Sequence, residues 1–415
     1  MKLDLDIEQF WKDEAIAHKE NCFSKDAPQV ALGIRMSEEC VFAELGEEGQ
    51  PWGYTPAERR YELNCRYNEK AREIVGISLL PEVKPLPKEQ QPKVTIPAYK
   101  PLAEVFGGEF FFDGNTTWLR GTMDGPEDLR KKLDWIGTLT SDKEAFRAFV
   151  LPQDWDERCK AVYELYGKRP EPFAGLRGPV TLATSVFGAE DLIFLFYDDE
   201  GLFRYFADTI GDVILAYVDL FREESHTDNP YHGFCFCDDD SNLMTPDMYA
   251  ALGYPILKRV FEHTAPLPHH YRYQHSDSAM GHLLPQLADF NLTGCNFGPT
   301  LTVQQIRKRI PNTCIDGQIA PFTFMNNDED QIIAEVKRDC EAARENDLRG
   351  LNLTTAGSIN NGSLLTSMRT VMAAIQNYGR YLTANRAENN LCAVFLRYSM
   401  SKEASKKTFS QFSPR

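Results

Sequence analysis

The sequence has no surplus of positive charge. Its 415 residues carry 61 acidic against 45 basic side chains, a formal net charge of −16. Nucleic-acid binding needs a basic face that displaces counterions, so that class of partner is excluded. The same deficit argues against docking on an anionic membrane surface. Long apolar runs are missing too, and none approaches the roughly 18 residues that span a bilayer. The opening stretch, Met1-Lys2-Leu3-Asp4-Leu5-Asp6-Ile7, lacks the charged-then-apolar pattern of a secretory signal. Ten cysteines are present but none falls in a Cys-x-x-Cys pair. In a chain of this size they read as free thiols in a reducing compartment, with the cytoplasm as the expected location. Neither a Gly-x-Gly-x-x-Gly fingerprint nor a Walker loop occurs, which removes the usual dinucleotide and P-loop signatures.

What is present is an ordinary globular composition, 42% hydrophobic and 26% charged, enough for a sizeable core. The first hundred residues are irregular. A helix from about Ile7 to Asn21 holds Phe10, Trp11, Ala15 and Ile16 at helical spacing. Thr55 and Pro56 read as the N-cap and first residue of a second helix, whose basic side chains (Arg59, Arg60, Arg66, Lys70, Arg72) fit a solvated face. Pro81 to Pro101 has no helical period and reads as a linker or extended arm. A strand is expected from Phe106 to Phe112, then helices from Asp124 to Ile136 and from Ser141 to Val150.

After Gly175 strand and helix alternate for five or six units, the pattern of parallel βα architecture. Leu176 to Ser185 starts the series. Asp198 and Asp199 cap a long helix with Leu202, Phe206, Ile210, Val213, Ile214, Tyr217 and Phe221 on one face. Strands follow at 231–237, 269–275, 293–297, 313–319 and 350–354. With no nucleotide fingerprint, a closed TIM (β/α)8 barrel is favoured over a doubly wound sheet. The expected organisation is an N-terminal extension (1–100) packed on a barrel (101–400), with a polar tail (401–415).

Two neighbouring strands end in ionisable side chains. One runs into Asp238-Asp239-Asp240, and the other into His275 and Asp277. In a barrel such positions lie at the C-terminal mouth, where chemistry is done. Asp316 and Gln318 are expected to reach the same mouth and orient substrate, and Arg177 to pair with an acidic group there. Three adjacent carboxylates repel, so one pKa should rise unless a cation is near. His232, Cys235 and Cys237 form a second cluster, but cysteines on a barrel strand are more often small buried hydrophobes. His269 and His270 sit at the strand start and read as structural, and His282 as a surface or supporting residue.

These segments resemble those of the uroporphyrinogen decarboxylase superfamily, which joins the decarboxylases of haem biosynthesis with corrinoid-dependent methyltransferases. Arg177-Gly178-Pro179-Val180-Thr181-Leu182-Ala183 is similar to its Gly-Pro-x-Thr-Leu segment. Met244-Thr245-Pro246-Asp247-Met248-Tyr249 resembles its Ser-Pro-x-x-Phe helix. His275-Ser276-Asp277-Ser278 resembles its His-x-Cys/Asp-Gly segment, and Asp316-Gly317-Gln318-Ile319-Ala320-Pro321 its Gly-Asn-x-Asp-Pro segment. The resemblance spans roughly residues 102 to 385. It implies a barrel enzyme acting on a small molecule, and it departs from each branch at named places. The arginine cluster that holds a porphyrinogen's carboxylates is missing, the expected tyrosine is Ser185, and Thr355 stands where a histidine is expected. The one-histidine, two-cysteine zinc set of the methyltransferases keeps only His275, with Asp277 and Gly357-Ser358 in place of the cysteine positions.

A harder ligand set follows from those substitutions: Asp239 and His275, with either Asp277 or Asp240, around a zinc ion. Such an ion would polarise a leaving group so that a corrinoid on a partner protein takes a methyl group. A metal-free polar pocket built on His275 and Asp277, and a purely structural His275, are the alternatives. The expected function is therefore demethylation of a small O- or N-methyl compound. The other possibilities are a lyase acting on a carboxylated substrate, or a non-catalytic tetrapyrrole or corrinoid binder. A homodimer is compatible with the sequence.

Overall fold

The computed structural model describes residues 2–49, 51, 54–87, 90–112, 117–226 and 233–381. The expected tail at 401–415 and His232 lie outside them. Among the described residues nine strands form: β1 (Ala31–Leu32), β2 (Glu109–Phe112), β3 (Thr117–Arg120), β4 (Gly175–Arg177), β5 (Gly233–Cys237), β6 (Tyr271–Ser276), β7 (Gly294–Phe297), β8 (Cys314–Ile319) and β9 (Leu351–Thr355). Seven pair in parallel in the order β1-β9-β8-β7-β6-β5-β4, while β2 and β3 make a separate antiparallel hairpin. Consecutive strands being neighbours, each joined by a helical crossover, is the topology of a TIM-type α/β barrel. Among the described residues no hydrogen-bonded strand links β4 to β1.

Alternation along the strands divides two environments. Phe234 and Phe236 on β5 are fully buried between sheet and helix, with Phe236 edge-on to Phe261 at 5.4 Å. Removing a side chain of that size from water contributes about 2–3 kcal/mol. Their neighbours Cys235 and Cys237 point to the barrel interior and are half-buried. The helix Glu200–Ser225 forms because its apolar residues recur every three or four positions, and all seven expected on its inner face are buried. Asp199 starts it by accepting a hydrogen bond from Leu202 N.

Several local expectations shift. Phe106 terminates a one-turn helix, Leu102–Val105, and only Glu109–Phe112 is extended, with all four side chains exposed. The second N-terminal helix begins at Ala57 with Pro56 at its cap, and Thr55 makes no capping bond. The helix expected through Met248 and Val260 breaks at Leu252 into Pro246–Ala251 and Gly253–Thr264. The basic face of the N-terminal helix is paired: Arg59 and Arg66 with Glu47, Lys70 with Glu44, and Arg72 with Glu82.

The N-terminal segment also enters the sheet. Ala31 and Leu32 pair with Asn352 and Leu353 of β9, and Phe10, Val30 and Ile34 share the main core. Among the described residues no single helix is long and apolar enough to cross a membrane.

Candidate active site at the barrel mouth

The ladder of parallel hydrogen bonds continues one residue past β5, where Asp238 N donates to His275 O at 2.9 Å. The Asp238 carboxylate is fully buried and accepts Thr181 N at 2.8 Å and Val180 N at 3.4 Å, the free amides that open the helix Pro179–Phe187. That approach needs Gly178, because a Cβ there would fall 2.1 Å from Asp238 Cβ. Burial pushes the Asp238 carboxyl up to about 6, and the amide bonds from Thr181 and Val180 oppose it. Asp238 therefore fastens the β5 loop to the helix after β4 and is not open to substrate.

The 3-10 turn Asp239–Leu243 then sends the next two carboxylates apart. Asp240 turns back to the helix, with its amide donating to Thr181 Oγ1 at 3.0 Å and its carboxylate accepting Thr184 Oγ1 at 2.5 Å. Asp239 faces the mouth. Its Oδ1 lies 3.7 Å from His275 Nε2 and accepts Asp277 N at 3.2 Å. Burial, and next the Asp277 charge, raise its pKa.

His275, on the inward face of β6, comes from the adjacent strand, and Asp277 follows on the loop. One ligand atom from each of Asp239, His275 and Asp277 lies within 4.8 Å of the others. A tetrahedral ion with ligands at about 2.1 Å separates them by roughly 3.4 Å, so the His275–Asp239 pair is already spaced for one. The donor set is two carboxylates and an imidazole, which zinc accepts. Of the two candidates for the third position, the structure brings in Asp277, while Asp240 is committed to Thr184. Gly357, at φ +123°, closes the far side, where a Cβ would sit 2.8 Å from Asp277 Cβ.

Other expected residues are placed differently. Arg177 is exposed at the end of β4, in register with Cys237, and has no ion-pair partner among the described residues. Asp316 does not reach the mouth freely. Both carboxylate oxygens are taken, by Tyr273 Oη at 2.6 Å and Asn352 Nδ2 at 2.8 Å, in the barrel interior. Gln318 is a correction. It is 1% exposed, and its amide donates to Gly298 O and Leu301 O of the loop after β7 at 3.3 and 2.8 Å. Those carbonyls hold the amide against the loop after β7. His282 supports the site indirectly through its bond to Met244 O at 2.9 Å.

Cys237, expected as a small buried hydrophobe on the strand, lies beside the site. Register sets it between Arg177 and His275, half-buried on the inward face. The Cys235 thiol, and then His275, lower its pKa to about 7 against the opposing effect of burial. Strand alternation from His275 across to β5 was the available signal.

No curated protein matches the chain by sequence. Among solved structures, a methyltransferase from Methanosarcina mazei is similar in fold at 16% identity and a TM-score of 0.51, over 87% of this chain and 98% of that one. The family model for uroporphyrinogen decarboxylase (URO-D) matches residues 157–378. That span takes in β4 to β9 and every mouth residue described above, and by this match over more than half of its length the chain belongs to the uroporphyrinogen decarboxylase family.

Proposed function

We propose that this protein is a metal-dependent methyltransferase that removes a methyl group from a small O- or N-methyl compound and passes it to a corrinoid carried by a partner protein. The observation that carries this function is the Asp239–His275–Asp277 group at the barrel mouth. Those three residues would hold zinc, which as a Lewis acid supplies polarisation of the substrate's oxygen or nitrogen. Asp239 and His275 arrive on neighbouring strands, so the sheet itself sets their spacing. Asp238 and Asp240, bonded to Thr181 and Thr184, keep the Asp239 turn from relaxing toward solvent. The fold shared with a methyltransferase is consistent with this activity, and no residue role is taken from it.

A lyase acting on a carboxylated substrate is the alternative, and one observation favours it: Arg177 is an exposed cation beside the mouth. Against a polycarboxylate stand Asp239 and Asp277, which repel further negative charge.

Elemental analysis of the purified protein tests the first function directly. Stoichiometric zinc, lost in His275→Ala with the fold retained by circular dichroism, is the expected result. A methylated amine or ether incubated with the protein and reduced cobalamin should then change the cobalamin absorbance. Protein that contains no zinc and releases carbon dioxide from a carboxylated substrate would replace this function with the lyase. Cobalamin binding without turnover would leave a carrier or binder.

A further inference from the structure

At the opposite end of the strands, far from the mouth in the fold, a second group of reactive side chains is assembled. Glu14, His18 and Cys22 follow one another at four-residue intervals, Glu14 on the first helix, His18 at its C-terminal cap and Cys22 in the turn beyond. Glu14 is held in place by Leu32 N at 2.8 Å, and His18 Nε2 lies 2.6 Å from its Oε1. The other ring nitrogen, His18 Nδ1, is 4.0 Å from Cys22 Sγ.

Cys22 is the last of three successive residues at positive φ, after Glu20 and Asn21, in the turn that reverses the chain toward β1. Its carbonyl accepts Gly350 N at 2.8 Å, and the Gly350 carbonyl accepts Ile315 N at 2.9 Å. The turn is thus pinned beside the first residues of β8. There Cys22 packs with Cys314 in a small cluster completed by Ala17 and Ala31.

The electrostatics separate the two sulfurs. The neighbouring Cys314 thiol is the largest influence on Cys22 and lowers it. Burial opposes this, His18 lowers it further, and Asp316 raises it, for a value of about 6. Cys314 itself is pushed up, first by the neighbouring Cys22 sulfur and then by burial. His18 is raised to about 10, by Cys22 first and Glu14 second, against burial. A thiolate paired with an imidazolium is the form expected at neutral pH. Buried structural cysteines behave differently: burial first, and a neighbouring aspartate second, push Cys295 and Cys340 up, and they stay inert thiols.

We propose that Cys22 and Cys314 are a peroxide-reactive dithiol, with Cys22 as the attacking sulfur and Cys314 as the resolving one. The Cys22 thiolate attacks one oxygen of a hydroperoxide, the S–O bond forms and the O–O bond breaks. The leaving oxygen takes the proton of His18 and departs as water or an alcohol, and Cys22 becomes a sulfenic acid. The Cys314 sulfur then attacks Cys22, the S–S bond forms, the S–O bond breaks, and the Cys314 proton leaves with the hydroxyl as water. Two thiols lose two electrons and one peroxide gains them. The disulfide ties the N-terminal turn to the base of β8, two residues from Asp316 and its bonds to Tyr273 and Asn352. Cys22 is 5% exposed, which admits a peroxide more readily than a protein thiol.

The test treats the native chain with one equivalent of hydrogen peroxide at neutral pH and maps its peptides without reduction. The expected product joins the Cys22 and Cys314 peptides, forms ahead of any oxidation at the more exposed Cys65 and Cys159, and depends on pH with a midpoint near 6. In Cys314→Ser, dimedone should trap Cys22 as its sulfenic acid. His18→Gln should slow the first step at least tenfold. Oxidation falling first on Cys65 or Cys159, or no Cys22–Cys314 link in the wild-type map, would overturn the proposal whatever the variants do.

Discussion

Asp238 and Asp239 are adjacent, yet their surroundings set them different tasks. Asp238 is sealed in and binds amides, and its raised pKa means that the folded chain holds a proton more tightly than the unfolded one. Its contribution to stability is therefore greatest below the unfolded value of 3.8 and is lost as pH rises through about 6. Two pKa steps correspond to roughly 3 kcal/mol. Asp238→Asn removes that titration and leaves a backbone amide facing an NH2 group, a cost of about 1–3 kcal/mol. Denaturant unfolding at pH 5 should show the variant clearly weaker than wild type, with the gap narrowing by pH 7.5. A gap that widens with pH would reverse the sign argued here. Asp239 is half-open, and its raised pKa sets proton against metal. Zinc affinity should fall on acidification from above the usual carboxylate range. Asp239→Asn should lower that affinity by at least the tenfold to hundredfold typical of losing a supporting group, which a competition titration across pH 5–8 measures.

The helix Pro179–Phe187 and the 3-10 turn Asp239–Leu243 act as one element, joined through Asp238, Asp240, Thr181 and Thr184. Gly178→Ala would drive them apart, since its Cβ overlaps Asp238. Overpacking of this kind costs about 1–3 kcal/mol. A lower melting temperature together with reduced zinc content is the expected result, and normal zinc in a destabilised variant would uncouple the two. At this scale much was legible in the sequence. The ends of β5 and β6 stand out because bulky alternating residues run straight into Asp238-Asp239-Asp240 and His275. The long helix after Asp199 is equally plain from its period. Gln318 was not legible, because period-2 alternation puts it beside Asp316 and nothing local reveals the Gly298 and Leu301 carbonyls that capture it. The assignment of Asp277 over Asp240 was hidden too, since it depends on Thr184, more than fifty residues away in the chain.

For the whole molecule, the least legible feature is β1. Two residues in an irregular segment show no alternation, and only the pairing with Asn352 and Leu353 makes them a strand. Around them, Arg349 is 2% exposed and donates to Ser24 O and Ala27 O as well as to Asp347. A chain lacking residues 1–36 would lose β1, the Phe10 contact and those acceptors at once. Arg349 would keep Asp347 but lose two carbonyl acceptors, and a buried donor left unmet costs about 1–3 kcal/mol. Such a chain should be insoluble or melt without cooperativity, and a soluble product with a sharp transition would show that the barrel stands without its first segment.

The joining of β1 to β9 also dictates when the fold can be finished. The first strand leaves the ribosome early and its hydrogen-bonding neighbour more than three hundred residues later. At about 5–20 residues per second, the wait is on the order of tens of seconds. Over that interval the N-terminal helices and β1 have no sheet to dock on. Pairing β1 with β9 is therefore a late, long-range event of high entropic cost.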